Sequence, residues 1–127
     1  MAKPVGSVVE ALAAFRAAPK FRCTEPQFRI LNPSPPVVTA PLAAALDKCA
    51  SELAQLVKTQ ASASQLRAAI AGSLHSVEKP SDTEDREYLA YYYNELAGIV
   101  GVSVASVLNR WLYGVPLALL LRVFRRG

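Results

Sequence analysis

The sequence predicts an all-α protein: a single helical bundle of about five helices, with a proline-rich extended strap between the first two. Three observations carry that prediction. Just over half of the residues are apolar, and alanine and leucine dominate that half, a mix that favours helix over sheet. Several segments repeat apolar residues at intervals of three and four, the spacing that lines one helical face. Six of the nine prolines fall between Pro19 and Pro41, where each removes a backbone donor and restricts its neighbour, so that stretch is not regular helix. A chain of 127 residues is expected to form one domain, residues 1–127. At that length folding buries roughly 65% of the chain's surface, enough for a core without metals or disulfides.

The first helix is expected from Ser7 to Ala18. Val8, Leu12 and Phe15 share a face, Ser7 can cap, and Pro19 stops it. Phe21, Phe28, Ile30 and Leu31 are too apolar for a free linker. The segment after Pro19 is therefore read as a strap across the helices, with room for a short strand at 28–31. In "TAPLAAALDKCASELAQLVKTQ", Leu42, Leu46, Cys49, Leu53 and Leu56 alternate steps of four and three, the seam of a helix packed on helices. Thr39 is its expected cap, with Pro41 in the first turn. A third helix starts at Ser62 or Ser64 and places Leu66, Ile70 and Leu74 inward. The short polar link makes the second and third helices antiparallel neighbours.

"PSDTEDREYLAYYYNELAGIVGVS" is the most conspicuous stretch. Ser81 stands three residues before Glu84, the spacing of a capping box. Asp82, Glu84, Asp85 and Glu87 then crowd the first turns, where the helix dipole favours negative charge. Tyr88, Leu89, Tyr92, Leu96, Ile99 and Val100 form a broad apolar face. Tyr91 and Tyr93 fall at its margins, with hydroxyls able to reach water. Gly101 ends the helix. Ser103 is the expected cap of a short fifth helix with Val104, Val107, Leu108 and Trp111 inward and Gly114 as its stop. The tail "VPLALLLRVFRRG" reads either as an amphipathic helix or as a buried strand, with helix preferred.

The charge pattern bounds function. A net charge of +4 is divided unevenly along the chain. Residues 1–29 hold five bases and two acids, residues 78–95 six acids and two bases, and residues 110–127 four arginines and no acid. Two cysteines and one histidine cannot supply four zinc ligands, and no glycine-rich phosphate loop exists. Cys23 and Cys49 lie too far apart for C-x-x-C; free thiols are expected, and a pairing between them stays open. His75 sits near a helix C-terminus, where a cation is welcome without any catalytic role. No metal, cofactor or catalytic residue is assigned. Nothing in the N-terminal residues has the form of a signal peptide and no segment has the length of a membrane span, so a cytoplasmic protein is expected.

The run 82–87, D-T-E-D-R-E, followed after the tyrosines by Leu108-Asn109-x-Trp111-x-Tyr113-Gly114, resembles the signature of a family of small, mostly helical bacterial proteins of unknown function. The resemblance implies bacterial origin and a helical fold, and brings no activity.

These readings converge on a non-enzymatic protein-binding module, such as a bacterial toxin-neutralising immunity protein or an adaptor. Asp82, Glu84, Asp85 and Glu87 are the residues expected to meet a basic partner, such as a toxin domain. Two alternatives use other parts of the chain. A nucleic-acid binder, the less favoured, would use the basic ends: Arg16, Lys20, Arg22, Arg29 and the tail arginines. A peripheral membrane protein would lay the apolar and arginine stripes of residues 115–127 on an anionic surface. The same tail could instead pack on a second copy in a homo-oligomer.

Overall fold

The computed structural model describes residues 4–21 and 34–114, and its fold is all-α. Five helices occur among the described residues: α1 (Val5–Ala17), α2 (Pro36–Lys58), α3 (Ala63–Ser76), α4 (Thr83–Val100) and α5 (Ala105–Tyr113). Helix α4 is the hub, packing on α1, α2, α3 and α5, while α2 also runs against α1 and α3.

Every helix supplies the core through the stripe its periodicity predicts. Val8, Leu12 and Phe15 of α1 meet Leu42, Leu46, Cys49 and Leu53 of α2 and Leu66, Ile70 and Leu74 of α3 in one cluster. Tyr88, Leu89, Tyr92, Tyr93 and Leu96 of α4 fill its middle, and Val104, Leu108 and Trp111 close one side. Fully burying a leucine or isoleucine is worth about 1.5–3 kcal/mol. Leu56, Ile99, Val100 and Val107 reach only the half-buried edge, because each lies at or beside the last turn of its stripe or on its flank.

Helix starts depart most from expectation. Helix α1 begins at Val5 after Pro4, with no side-chain cap, and Ser7 lies inside it. Helix α2 begins at Pro36, three residues before Thr39. Proline's fixed φ and missing N–H suit a first turn, so Pro36 starts the helix itself. Pro41 consequently falls inside α2, where it leaves the Val37 carbonyl without its helical donor. Helix α3 starts as expected: Ser62 Oγ accepts from Gln65 N at 3.1 Å, and Gln65 Oε1 accepts from Ser62 N at 2.8 Å, a complete capping box. At α5, Val104 takes the cap position and Ser103 Oγ lies 3.5 Å from Ala105 N.

The stops follow the sequence closely. Gly101 (φ 80°) and Gly114 (φ 71°) adopt the left-handed conformation past α4 and α5. After α2 the same job falls to Gln60, with φ 58°. Ala61 N reaches back to Leu56 O at 2.9 Å, so the α2–α3 link is a Schellman turn built without glycine.

Beyond α1 the chain passes Pro19 and Lys20 and turns at Phe21 with φ 61°. That conformation is strained for a bulky side chain. It is held because the ring enters an aromatic cluster, 5.1 Å from both Tyr88 and Tyr92. The Phe21 N–H also donates to Tyr92 Oη at 3.0 Å. The remainder of the expected strap, its strand at 28–31, Cys23 and the tail from residue 115 lie outside the described residues.

Candidate functional site

The acidic start of α4 separates into one buried and three exposed carboxylates. Asp82, not Ser81, caps the helix: its Oδ1 accepts from Glu84 N at 2.8 Å and from Asp85 N at 3.3 Å. Asp82 stands immediately before the helix and its carboxylate takes the first free amides, so the Ser81–Glu84 box does not form. Asp85 leaves the expected docking face. It is 4% exposed, and Ser34 Oγ donates to its Oδ2 at 2.6 Å. Asp85 is three residues before Tyr88 and four before Leu89, which sets it at the margin of their inward side, where Ser34 meets it. Its position just ahead of α2, beside Ser34, and in the first turn of α4 sets its charge near two helix N-termini, which carry partial positive charge. Asp82, Glu84 and Glu87 remain exposed.

The link before this turn is locked by two cations. Arg86 folds back, its Nε donating to Pro80 O at 2.5 Å and its Nη2 to Ser81 O at 3.0 Å. Lys79 Nζ donates to the Trp111 carbonyl and lies 5.1 Å from the centre of the indole, tying α5 to the α3–α4 link. Pro80 is buried. The exposed carboxylates therefore stand on a backbone held from below by Asp85 and from behind by Arg86 and Lys79.

Beside them lies a groove of about 530 Å³ between the start of α2 and the α3–α4 link. Val37, Val38, Pro41 and Leu42 form one wall, and Val77, Glu78 and Pro80 belong to the other. Val37 is 81% exposed and Val38 38%, so apolar side chains that could have been buried stand in solvent. Sequence reasoning missed this wall because it started α2 at Thr39. The pair Pro35-Pro36 ahead of Val37-Val38 was the available signal, since proline at the first helical position puts both valines in the first turn.

Two other clusters have structural explanations. Lys20 Nζ pairs with Asp47 Oδ1 at 2.8 Å, donates to Phe15 O at 2.6 Å and to Ala18 O at 3.1 Å, and lies 4.4 Å from the Phe15 ring centre. This lysine is thus committed to the α1–α2 contact and offers no outward charge. It borders a groove of about 440 Å³ between α1 and α4 that includes Phe15, Tyr91 and Tyr92. The second cluster corrects the placing of Tyr93 at the water's edge. Tyr93 is fully buried, and its hydroxyl lies 2.7 Å from Ser73 Oγ of α3. Ser73 Oγ also donates to Ala45 O of α2 at 3.4 Å. Burial raises the Tyr93 phenol to about 12, against the lowering effect of the Ser73 bond. Burial likewise raises the neighbouring Cys49 thiol to about 11. Both groups are neutral near pH 7, the opposite of an activated nucleophile.

His75 Nδ1 sits 2.8 Å from Ala71 O on the exposed side of α3. Among the described residues, no three of His, Cys, Asp or Glu converge as metal ligands. No described helix is long and apolar enough to cross a membrane. Of the basic residues at the chain's ends, Arg22, Arg29 and the tail arginines lie outside the described residues.

The arrangement is similar to that of a solved protein. The crystal structure of a DUF3571 family protein from Acinetobacter baumannii matches with a TM-score of 0.76 at 24% identity, covering 92% of this chain and 97% of that one. At that identity the likeness shows the fold alone. No functionally curated protein matches the sequence. Residues 3–116 match the model of the domain of unknown function DUF4844, and the chain belongs to that family.

Proposed function

We propose that this protein works by binding another protein, as a cytoplasmic adaptor or a toxin-neutralising immunity protein of a bacterium, and performs no catalysis. The observation that carries the reading is the trio Asp82, Glu84 and Glu87, exposed on a helix start that is fixed from beneath. Fixed charges steer a basic partner without the entropy of ordering a loop, which favours fast association and specificity. Asp85 supports this surface from within and is not a contact.

The test uses Glu84→Lys/Glu87→Lys, which reverses two charges and leaves the Asp82 cap intact. Proteins retained from the source organism by wild type and lost by the variant are identified, and one is purified for association kinetics. The expected result is an association rate lower by at least tenfold at low salt, with a flattened salt dependence. Identical retention and identical rates would remove the acidic turn as a docking surface.

A further inference from the structure

We infer that the groove between the start of α2 and the α3–α4 link receives a short amphipathic segment of a partner protein, one carrying apolar side chains beside arginine or lysine. The inference rests on the protein-binding reading and names what the partner must present.

The apolar half of the match comes from Val37 and Val38. They stand exposed at 81% and 38% in the first turn of α2, above Pro41 and opposite Val77 and Pro80. A volume of about 530 Å³ lies in the range that takes a small ligand or a few side chains of a docked helix or strand. The charged half comes from the rim. Glu78 lines the groove, and Ser81, which also lines it, leads directly into Asp82 and Glu84. Residues 78–87 hold five acids and two bases, and one of the acids, Asp85, is buried. Lys79 lines the groove beside Glu78 while donating to the Trp111 carbonyl, and Arg86 folds back on Pro80 O and Ser81 O. The N-terminal dipoles of α2 and α4 contribute about half a positive charge each, so four exposed acids, Glu78, Asp82, Glu84 and Glu87, against two bases leave the rim weakly negative. An apolar floor with an acidic rim selects an apolar segment flanked by cations and repels one flanked by acids.

The experiment measures fluorescence anisotropy of a labelled helical peptide of about four turns, leucine on one face and arginine on the other, titrated with the full chain. Two control peptides replace arginine by glutamate or leucine by serine. Val37→Ser/Val38→Ser removes the apolar wall without altering charge, and circular dichroism and thermal melting confirm that it folds. Glu84→Gln/Glu87→Gln removes rim charge. The expected result is saturable binding of the leucine–arginine peptide alone, weakened at least tenfold by the valine variant. The glutamate variant should weaken it several-fold, mostly at low salt. If the valine variant binds as wild type does while the glutamate variant is weakened, the groove is not the site and the acidic-turn reading survives. If neither variant changes binding, both fall. A wild-type dimer in sedimentation that the valine variant dissociates would make a second copy the occupant and overturn the inference. Tighter probe binding after Arg122→Gln/Arg125→Gln/Arg126→Gln would reassign the groove to this chain's own end and also overturn it.

Discussion

The buried Tyr93–Ser73 contact predicts an alkaline signature that a single substitution isolates. Folding raises the Tyr93 phenol from its ordinary 10.0 to about 12, chiefly because burial disfavours the phenolate. Between pH 10 and 12 the folded chain therefore keeps a proton that the unfolded chain has released. Stability tied to this group is fully present below pH 10 and declines as pH rises towards 12. A shift of this size corresponds to about 2–3 kcal/mol across the window. Tyr93→Phe removes the titrating group along with its 2.7 Å hydrogen bond to Ser73 Oγ. At pH 7 the variant should be less stable by about 1 kcal/mol, since Ser73 keeps only the long contact to Ala45 O. Above pH 10 it loses nothing from position 93, so the two stability curves should cross near pH ~11. Cys49 titrates in an overlapping window, from 9.0 to about 11. Its charge acts on Tyr93 and both groups meet Ser73, so the comparison is made with Cys49→Ala in both proteins, which isolates the phenol. Urea unfolding at intervals from pH 7 to 12 measures the curves. A difference that stays constant across that range would refute the argument, because it would mean the phenol is as well solvated folded as unfolded.

Two further outcomes follow from the helix termini. Asp85→Ala should lower stability by about 2 kcal/mol, the scale of a buried hydrogen bond to a charged group, and lower Tm by roughly 6–10 °C in a calorimetric melt. Glu84→Gln and Glu87→Gln should each change stability by less than about 0.5 kcal/mol. Comparable losses at all three positions would mean that Asp85 is not set apart by burial. Gln60→Gly should raise stability by about 0.5–1 kcal/mol in denaturant unfolding, because φ 58° is strained for a residue with a Cβ. A loss there would show that the Gln60 side chain contributes more than its backbone strain removes.

The interior was legible in the sequence because it depends on periodicity, and periodicity survives tertiary packing. Leu46, Leu53, Ile70, Leu74, Leu89 and Leu96 are fully buried, each on the stripe that its spacing defines. Helix stops at Gly101 and Gly114 were equally readable, since the left-handed turn selects glycine. Starts were less so, because several residues in a row could cap and sequence does not rank them. Asp82 beside Ser81, and Pro36 ahead of Thr39, were competing solutions of nearly equal local merit. The buried ends of Tyr93 and Asp85 were illegible for a different reason. Their partners, Ser73 and Ser34, lie 20 and 51 residues away. A position at the margin of a helical face is decided by what the neighbouring helix offers, and a serine hydroxyl at the right height turns a margin into an interior.

The fate of Asp85 bears on how the surface could work at all. Four acids within six residues look like one patch, and a patch of four flexible carboxylates would repel itself and bind loosely. Taking one of the four inside changes the physics of the other three. Asp85, anchored to Ser34, joins the start of α4 to the start of α2, so the acidic turn and the valine wall of the groove belong to one rigid corner. Arg86 and Lys79, bonded to Pro80 O, Ser81 O and Trp111 O, fix the loop between them. A partner meeting this corner would find charge and apolar surface already in register, with little ordering to be done on this side of the interface. Loosening the corner should then weaken association even though Asp85 touches no partner. Asp85→Asn, which keeps the size of the side chain while weakening its bond to Ser34, should raise the dissociation rate and leave the long-range steering by Glu84 and Glu87 nearly intact. Surface plasmon resonance with a purified partner separates the two rates. A change confined to the association rate would mean that Asp85 acts only as one more charge.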